Sequence, residues 1–410
     1  MAQQTPSGFF SGYRILDLTG LRGAYAGRLL ADLGSDVVKV EPLQGDPTRN
    51  HPPFAGNKPH PEKSLHFFFY NLNKRSMTLN LESPQGQEIL RALIGSADAL
   101  IEDAPVGYLK GLSLDYESLR RINPRLVMLS ITDFGQTGPY AEQTSSDLVN
   151  MAMSGFMQAS GEPDGTPLRL GMNHSYVAAG LVGAYGLAAA LPWQRRSGEG
   201  QHIDVSALEA AAAFISDKGH VPVWRRRRLN PVRAGRGIHM SFPSGLYRAK
   251  DGWVAVIAFS ATSWDNLAKW ITEVTGDDKW LSPAFKGPAH ARAQYADLLN
   301  QWFSEEFVPR FTVNEFFHEA NPRGVTAVPV YTAEDIVKDP HLEARGFFQE
   351  VEHPFVGPVR FPKLPYYCAE YPWRPRRPAP LLGEHTREIL CDEMGYSAAQ
   401  MDDLRAGAVI

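Results

Sequence analysis

The stretch that most restricts the fold is "YRILDLTGLRGAYAGRLLADLGSDVVKVE", residues 13–41. "YRILDL" has the β-branched and apolar make-up of a buried strand, and "DVVKVE" has it again. Between them a Gly-punctuated turn leads into "AYAGRLLADLG", a short helix ending at Gly34. A strand, a helix and a second strand at this spacing form a β-α-β unit, which opens a parallel sheet. The pattern recurs through "SMTLNL", a helix from Pro84 to Ile94, "ADALIED", a helix around Tyr116 to Ile122, and "RLVMLSIT". This alternation over about the first 135 residues predicts a doubly wound, Rossmann-like α/β domain with a parallel sheet.

Farther on, "VAAGLVGAYGLAAAL" reads as a core helix, because Gly180, Gly183 and Gly186 let a neighbouring backbone approach closely. Residues 219–245 are rich in Arg, Gly and Pro and read as a linker. "GLYRAKDGWVAVIAF" is expected to be a β-hairpin turning at Lys-Asp-Gly, with helical segments following. The chain therefore divides into a large α/β part at 1–218, the linker, a small α+β domain at 246–330, and a segment at 331–410. The last segment is Pro-rich and is expected to run back over the large domain, with a final helix near Thr386 to Glu393.

Composition removes several functions. The net charge of −4 gives no reason to expect a nucleic-acid partner. The single basic cluster, "WRRRRLNPVRAGRG", reads as a solvated loop or a subunit contact. The two cysteines, Cys368 and Cys391, form no CxxC or Cys/His spacing. This argues against zinc and for a reducing, cytoplasmic setting. The start "MAQQTPSGFFSG" lacks the basic and apolar segments of a signal peptide. The run Val177 to Trp193 is too rich in Ala and Gly to read as a membrane span.

Candidate chemistry centres on "NHSYVAAG", residues 173–180, where Asn173, His174, Ser175 and Tyr176 stand at the mouth of the glycine helix. A dinucleotide site is not supported: Gly20, Gly23 and Gly27 have the wrong spacing, although Glu41 sits where an acid would be wanted. No G-x-S-x-G elbow exists for a serine hydrolase, and the histidines show no metal spacing. Lys74 and Arg75 could meet a phosphate or close a loop salt bridge; residue types alone leave both open.

Taken together, "ILDLTGLRGAYAGRLLADLGSDVVKVEPLQGDPTR", "NLNKRSMTLNL", "SLDYESLRRINPRLVMLSITDFGQTGPY", "DGTPLRLG", "GAYGLAAALPWQRRSGEGQHIDVSALEAA", "AKDGWVAV" and "APLLGEHTREIL" resemble class III CoA-transferases over nearly the whole chain. This superfamily also holds formyl-CoA transferase, carnitine CoA-transferase and α-methylacyl-CoA racemase. The resemblance implies a large α/β domain made from both chain ends, a small domain, and two subunits threaded through one another. It implies a CoA thioester as substrate, with no covalently bound cofactor.

In the family an aspartate in a D-x-x-x-G setting attacks the thioester, giving a mixed anhydride and then an aspartyl-CoA thioester. The matching segment here, "YVAAG", puts Tyr176 at that position. A phenol, with a pKa near ~10, is mostly protonated at neutral pH and cannot form the anhydride. The family's E-N-F-x-P-G segment reads "EDAPVG", with Asp103 for Asn and Ala104 for Phe, and Gly111 falls where an Arg is expected. Leu21, Lys74 and Ala104 then mark a degenerate CoA site. Ser146 replaces the histidine that racemases pair with the helix-head acid, which argues against racemisation. The resemblance is thus to a subunit lacking the nucleophile. Its implied partner is a homologous chain that carries the aspartate, and its ligands are acyl-CoA and dicarboxylates, with succinyl-CoA and benzylsuccinate the expected pair. The alternatives are an active homodimer using another carboxylate, and a non-enzymatic scaffold or ligand-binding protein.

Overall fold

The computed structural model describes residues 8–214, 224–226, 228, 233, 235, 237 and 242–410. Most of the linker expected at 219–245, and most of "RAGRGIHM" within it, lies outside the described residues. Two compact units emerge. The first joins Met1–Phe156, Leu170–Gly219 and His341–Ile410; the second joins Met157–Arg169 and His220–Pro340. Nothing in the sequence pattern signalled that 157–169 would group with the second unit.

The first unit is the expected α/β body. Its strands are β1 (Arg14–Asp17), β2 (Asp36–Glu41), β3 (Arg75–Thr78), β4 (Ala99–Glu102), β5 (Val127–Thr132) and β6 (Gln201–Ser206). They form one sheet in the order β3-β2-β1-β4-β5-β6, parallel throughout. Winding reverses between β1 and β4, where a doubly wound sheet leaves a crevice at the carboxyl ends of its strands. Its helices are α1 (Ala24–Asp32), α2 (Leu65–Asn71), α3 (Pro84–Ile94), α4 (Tyr108–Gly111), α5 (Tyr116–Leu119), α6 (Asp147–Met153), α7 (His174–Ser197) and α8 (Ala207–Phe214).

Side chains alternate across the sheet. Ile15, Val37, Ile101 and Leu129 face α1 and α7, while Leu16, Val38, Leu100 and Met128 face α3 and the helix Ala398–Ala406. The glycines of α7 do what their spacing suggested. A Cβ on Gly180 would come within 2.8 Å of the Tyr25 Cβ, and one on Gly183 within 2.9 Å of a Leu129 methyl. The helix is a core helix on one side only, because Leu181 and Tyr185 on its other side are 50% and 77% exposed.

The Pro-rich return is ordered by what it covers. A hairpin of two strands, Phe348–His353 and Gly357–Pro362, packs Val351 and Phe361 onto Phe67, Phe68 and Leu72. Farther along, Arg376 and Arg377 donate their amides to the Asn73 side chain, and His385 donates to the Ser76 carbonyl, so the tail shields the β3 edge.

The second unit holds a three-stranded antiparallel sheet, Ser244–Arg248, Trp253–Ile257 and Thr326–Pro329. The first two strands are the expected hairpin. Helices Ala261–Thr275, Ala296–Trp302 and Val313–Ala320 accompany it. Its core is aromatic, with Trp264, Trp270, Trp280, Phe303, Phe307 and Phe316 in contact.

Candidate active site

The first turn of α7 lies against the carboxyl end of β5 and the start of α6. Tyr176 is buried, and its hydroxyl donates to Asp133 Oδ1 at 3.1 Å. Asp133 follows the last residue of β5 and accepts two further bonds. Asn150 Nδ2 reaches Oδ1 at 2.8 Å, and Arg22 Nε reaches Oδ2 at 2.8 Å. The Arg22 guanidinium also stands over the Tyr176 ring, 5.9 Å from its centroid. Burial, and after it the Asp133 charge, pushes the Tyr176 phenol above its ordinary range, so at neutral pH it is a hydrogen-bond donor. Burial works against the charge of Arg22, but Asp133 foremost among its neighbours outweighs it and holds the guanidinium charged.

Beside Tyr176, both the amide and the hydroxyl of Ser175 donate to Asp147 Oδ1, at 2.9 and 2.8 Å. Asn173 caps the helix without a side-chain bond, and His174 is half-buried. Of the four residues at the helix mouth, Ser175 and Tyr176 are therefore engaged with fixed carboxylates. A residue that attacks a thioester needs an unencumbered lone pair. Tyr176 presents a protonated phenol whose hydroxyl donates to Asp133.

The β1–α1 turn is closed in a similar way. Asp103, just past β4, accepts the amides of Gly20 (2.8 and 2.9 Å), Arg22 (3.0 Å) and Gly23 (3.1 Å). Gly20 and Arg22 belong to the turn itself, and Gly23 is the N-cap of α1. Burial raises the Asp103 carboxyl above its ordinary range, even though these amides pull the other way.

A cleft of about 360 Å³ opens along the carboxyl ends of β1 to β4, lined by Leu18, Glu41, Asn80, Glu82, Glu102, Ala104 and Tyr108 among others. Ala104 thus reaches a cavity, with its amide on Glu102 Oε2 at 2.8 Å. Burial pushes the Glu102 carboxyl up to about 7. Leu21 is half-buried and packs on the α1/α7 side of the core. Lys74 corrects the expectation that it could meet a phosphate. Its ammonium is fully buried, bonded to Asp17 at 2.7 Å, the Ala24 carbonyl at 2.9 Å and Asn71 at 3.0 Å. Burial pushes it down to about 8, with Asp17 opposing. Arg75 likewise closes ion pairs, with Asp36, Glu388 and Glu393.

Sequence reasoning missed Arg22, Asp133 and Asn150. They come from the β1–α1 turn, the end of β5 and α6, and no spacing in the chain unites them with Tyr176. Only the topology of the sheet does. Among the described residues no group of three or more His, Cys, Asp or Glu could hold a metal ion.

Residues 10–386 match CoA-transferase family III. The chain is 35% identical over 413 residues to the BbsE subunit of succinyl-CoA:(R)-benzylsuccinate CoA-transferase from Thauera aromatica, covering 98% of each chain. It is 32% identical over 388 residues to a succinate–glutarate CoA-transferase from Agrobacterium fabrum, covering 93% of this chain and 95% of that one. A CAIB/BAIF family protein from Brucella suis superposes with a TM-score of 0.84 at 28% identity, over 94% of this chain and 99% of its own.

Proposed function

This chain belongs to CoA-transferase family III, and from that premise we propose that it is the non-catalytic subunit of a heteromeric transferase. In this reading the complex moves CoA from succinyl-CoA to an aromatic dicarboxylate such as benzylsuccinate. A homologous cytoplasmic subunit, linked with this one, supplies the aspartate. That aspartate forms the anhydride and then the aspartyl-CoA thioester, and the acceptor acid collects CoA from it. The reading rests on Tyr176, which the sequence resemblance aligns with the family's nucleophile and whose hydroxyl is bonded to Asp133. The substrate rests on the relative whose printed name is a benzylsuccinate transferase subunit.

A second reading has one observation in its favour: a carboxylate, Asp133, does lie beside Tyr176. An active homodimer would use it as the nucleophile. Three donors already engage both its oxygens, which lowers the electron density that an attack on a thioester requires.

The test is assembly and turnover. Purified alone, the chain should exchange no CoA from succinyl-CoA and form no hydroxylamine-sensitive adduct. Co-expressed with a family member that carries the aspartate, it should give an equimolar, active complex that loses activity when that aspartate is removed. Turnover by the isolated chain, with an adduct mapped to Asp133, would establish the homodimer instead.

A further inference from the structure

We infer that Asp103 is a specificity-determining residue, whose carboxylate stands in the β1–α1 turn as a resident anion and keeps phosphate-bearing thioesters off this chain. The inference deepens the subunit reading, and rests on it for the identity of the excluded ligand.

Two independent features support it. The turn's amides at Gly20, Arg22 and Gly23 converge on Asp103 within 2.8–3.1 Å, so an incoming anion finds those donors occupied and a negative charge in its path. The adjoining cleft adds a second barrier. Its walls carry Glu41, Glu82 and Glu102 and, among the described residues, no Lys, Arg or His. Glu41 is paired with Arg49, whereas Glu82 accepts from the neutral Tyr108 hydroxyl at 2.6 Å.

Nor can the cations Lys39, Lys74, Arg49 and Arg22 be recruited without breaking an ion pair. Lys39 is bonded to Asp46 at 2.5 Å, Lys74 to Asp17, Arg49 to Glu41 and Glu62, and Arg22 to Asp133. A crevice at the switch point of a doubly wound sheet is where an anionic cofactor is ordinarily received. Here the wall presents the Glu82 carboxylate and, among the described residues, no cation. The shape of the cleft survives, but its electrostatic attraction does not.

The experiment is calorimetric titration of the purified full chain with CoA, and with adenosine as a phosphate-free control. Wild type should bind CoA no more tightly than a millimolar dissociation constant. Asp103→Asn keeps an acceptor for the turn while removing the charge, and should tighten CoA at least tenfold while leaving adenosine unchanged. Glu82→Gln, on the cleft wall, should tighten CoA about threefold, and gives a readout should the turn variant fold poorly. Micromolar binding of CoA to wild type would overturn the inference. So would folded Asp103→Asn and Glu82→Gln proteins that bind CoA no better than wild type. An inactive co-expressed complex, by contrast, would count against the subunit reading and leave these binding results standing.

Discussion

In the sheet unit the buried cations Lys39, Arg49 and Lys74 each face a carboxylate, at 2.5–2.7 Å. In the small unit the buried Arg292 is held by the carbonyls of Phe242, Phe285, Gly287 and Ala258, and stands over the Trp264 ring at 4.3 Å. Burial pushes Arg292 down to about 10. The three pairs gather near the carboxyl ends of β1 and β2, the edge where a sheet of this topology meets ligands. The arginine sits within an aromatic core and serves only to join loops. The edge cations are held by bonded carboxylates, whereas Arg292 is bonded to carbonyl dipoles, with Asp265 adding attraction.

The largest effect should come from breaking one edge pair. Asp17→Ala leaves the Lys74 ammonium buried without its counter-charge, and should cost about 3–5 kcal/mol in urea unfolding. Adding Lys74→Met should recover most of that loss. A double variant as unstable as the single one would mean that the pair is not the unit of stability. Arg292→Met should cost less, about 1–3 kcal/mol, because it strands carbonyls and no carboxylate bonded to it. No removal of an acid should rescue it.

Glu102 sharpens the contrast through pH. Its carboxyl is pushed up to about 7 by burial, whereas in the unfolded chain it titrates near ~4.3. A raised carboxyl favours the folded state fully below its unfolded value, and that contribution is lost as pH rises to about 7. Glu102→Gln should therefore melt like wild type at pH ~3.5, below the unfolded value, and be more stable by about 1–3 kcal/mol at pH ~8. Equal melting differences at the two values would mean that Glu102 is not held neutral by its burial.

The same contrast sets what could be read in advance. The alternation of strand and helix at 13–41 is local, and it yielded the β-α-β unit because hydrophobic period and glycine placement are written along the chain. The role of Lys74 was not legible. Whether a lysine meets a phosphate or an internal acid depends on Asp17, which lies 57 residues away and pairs with it only once β1 and β3 are in one sheet. Asp133 was hidden for the same reason, and Asp103 was visible as a changed residue type but not as the acceptor of three turn amides. Charge identity is local, but charge partnership belongs to the topology.

The smallest effect should be at Tyr176, and it bears most directly on the proposed role. Tyr176→Phe removes one buried hydrogen bond to Asp133, while Arg22 and Asn150 still hold that carboxylate. The stability cost should be about 1 kcal/mol, the ordinary value for one such bond. In the assembled complex the transfer rate should stay within a few-fold, because the phenol, pushed above its ordinary range, supplies neither nucleophile nor base at neutral pH. If the rate instead fell by orders of magnitude while the fold held, the hydroxyl would be touching the reacting atoms. The head of α7 would then be a working site, and the contrast between a charged but silent edge and an aromatic core would fail at its most informative residue.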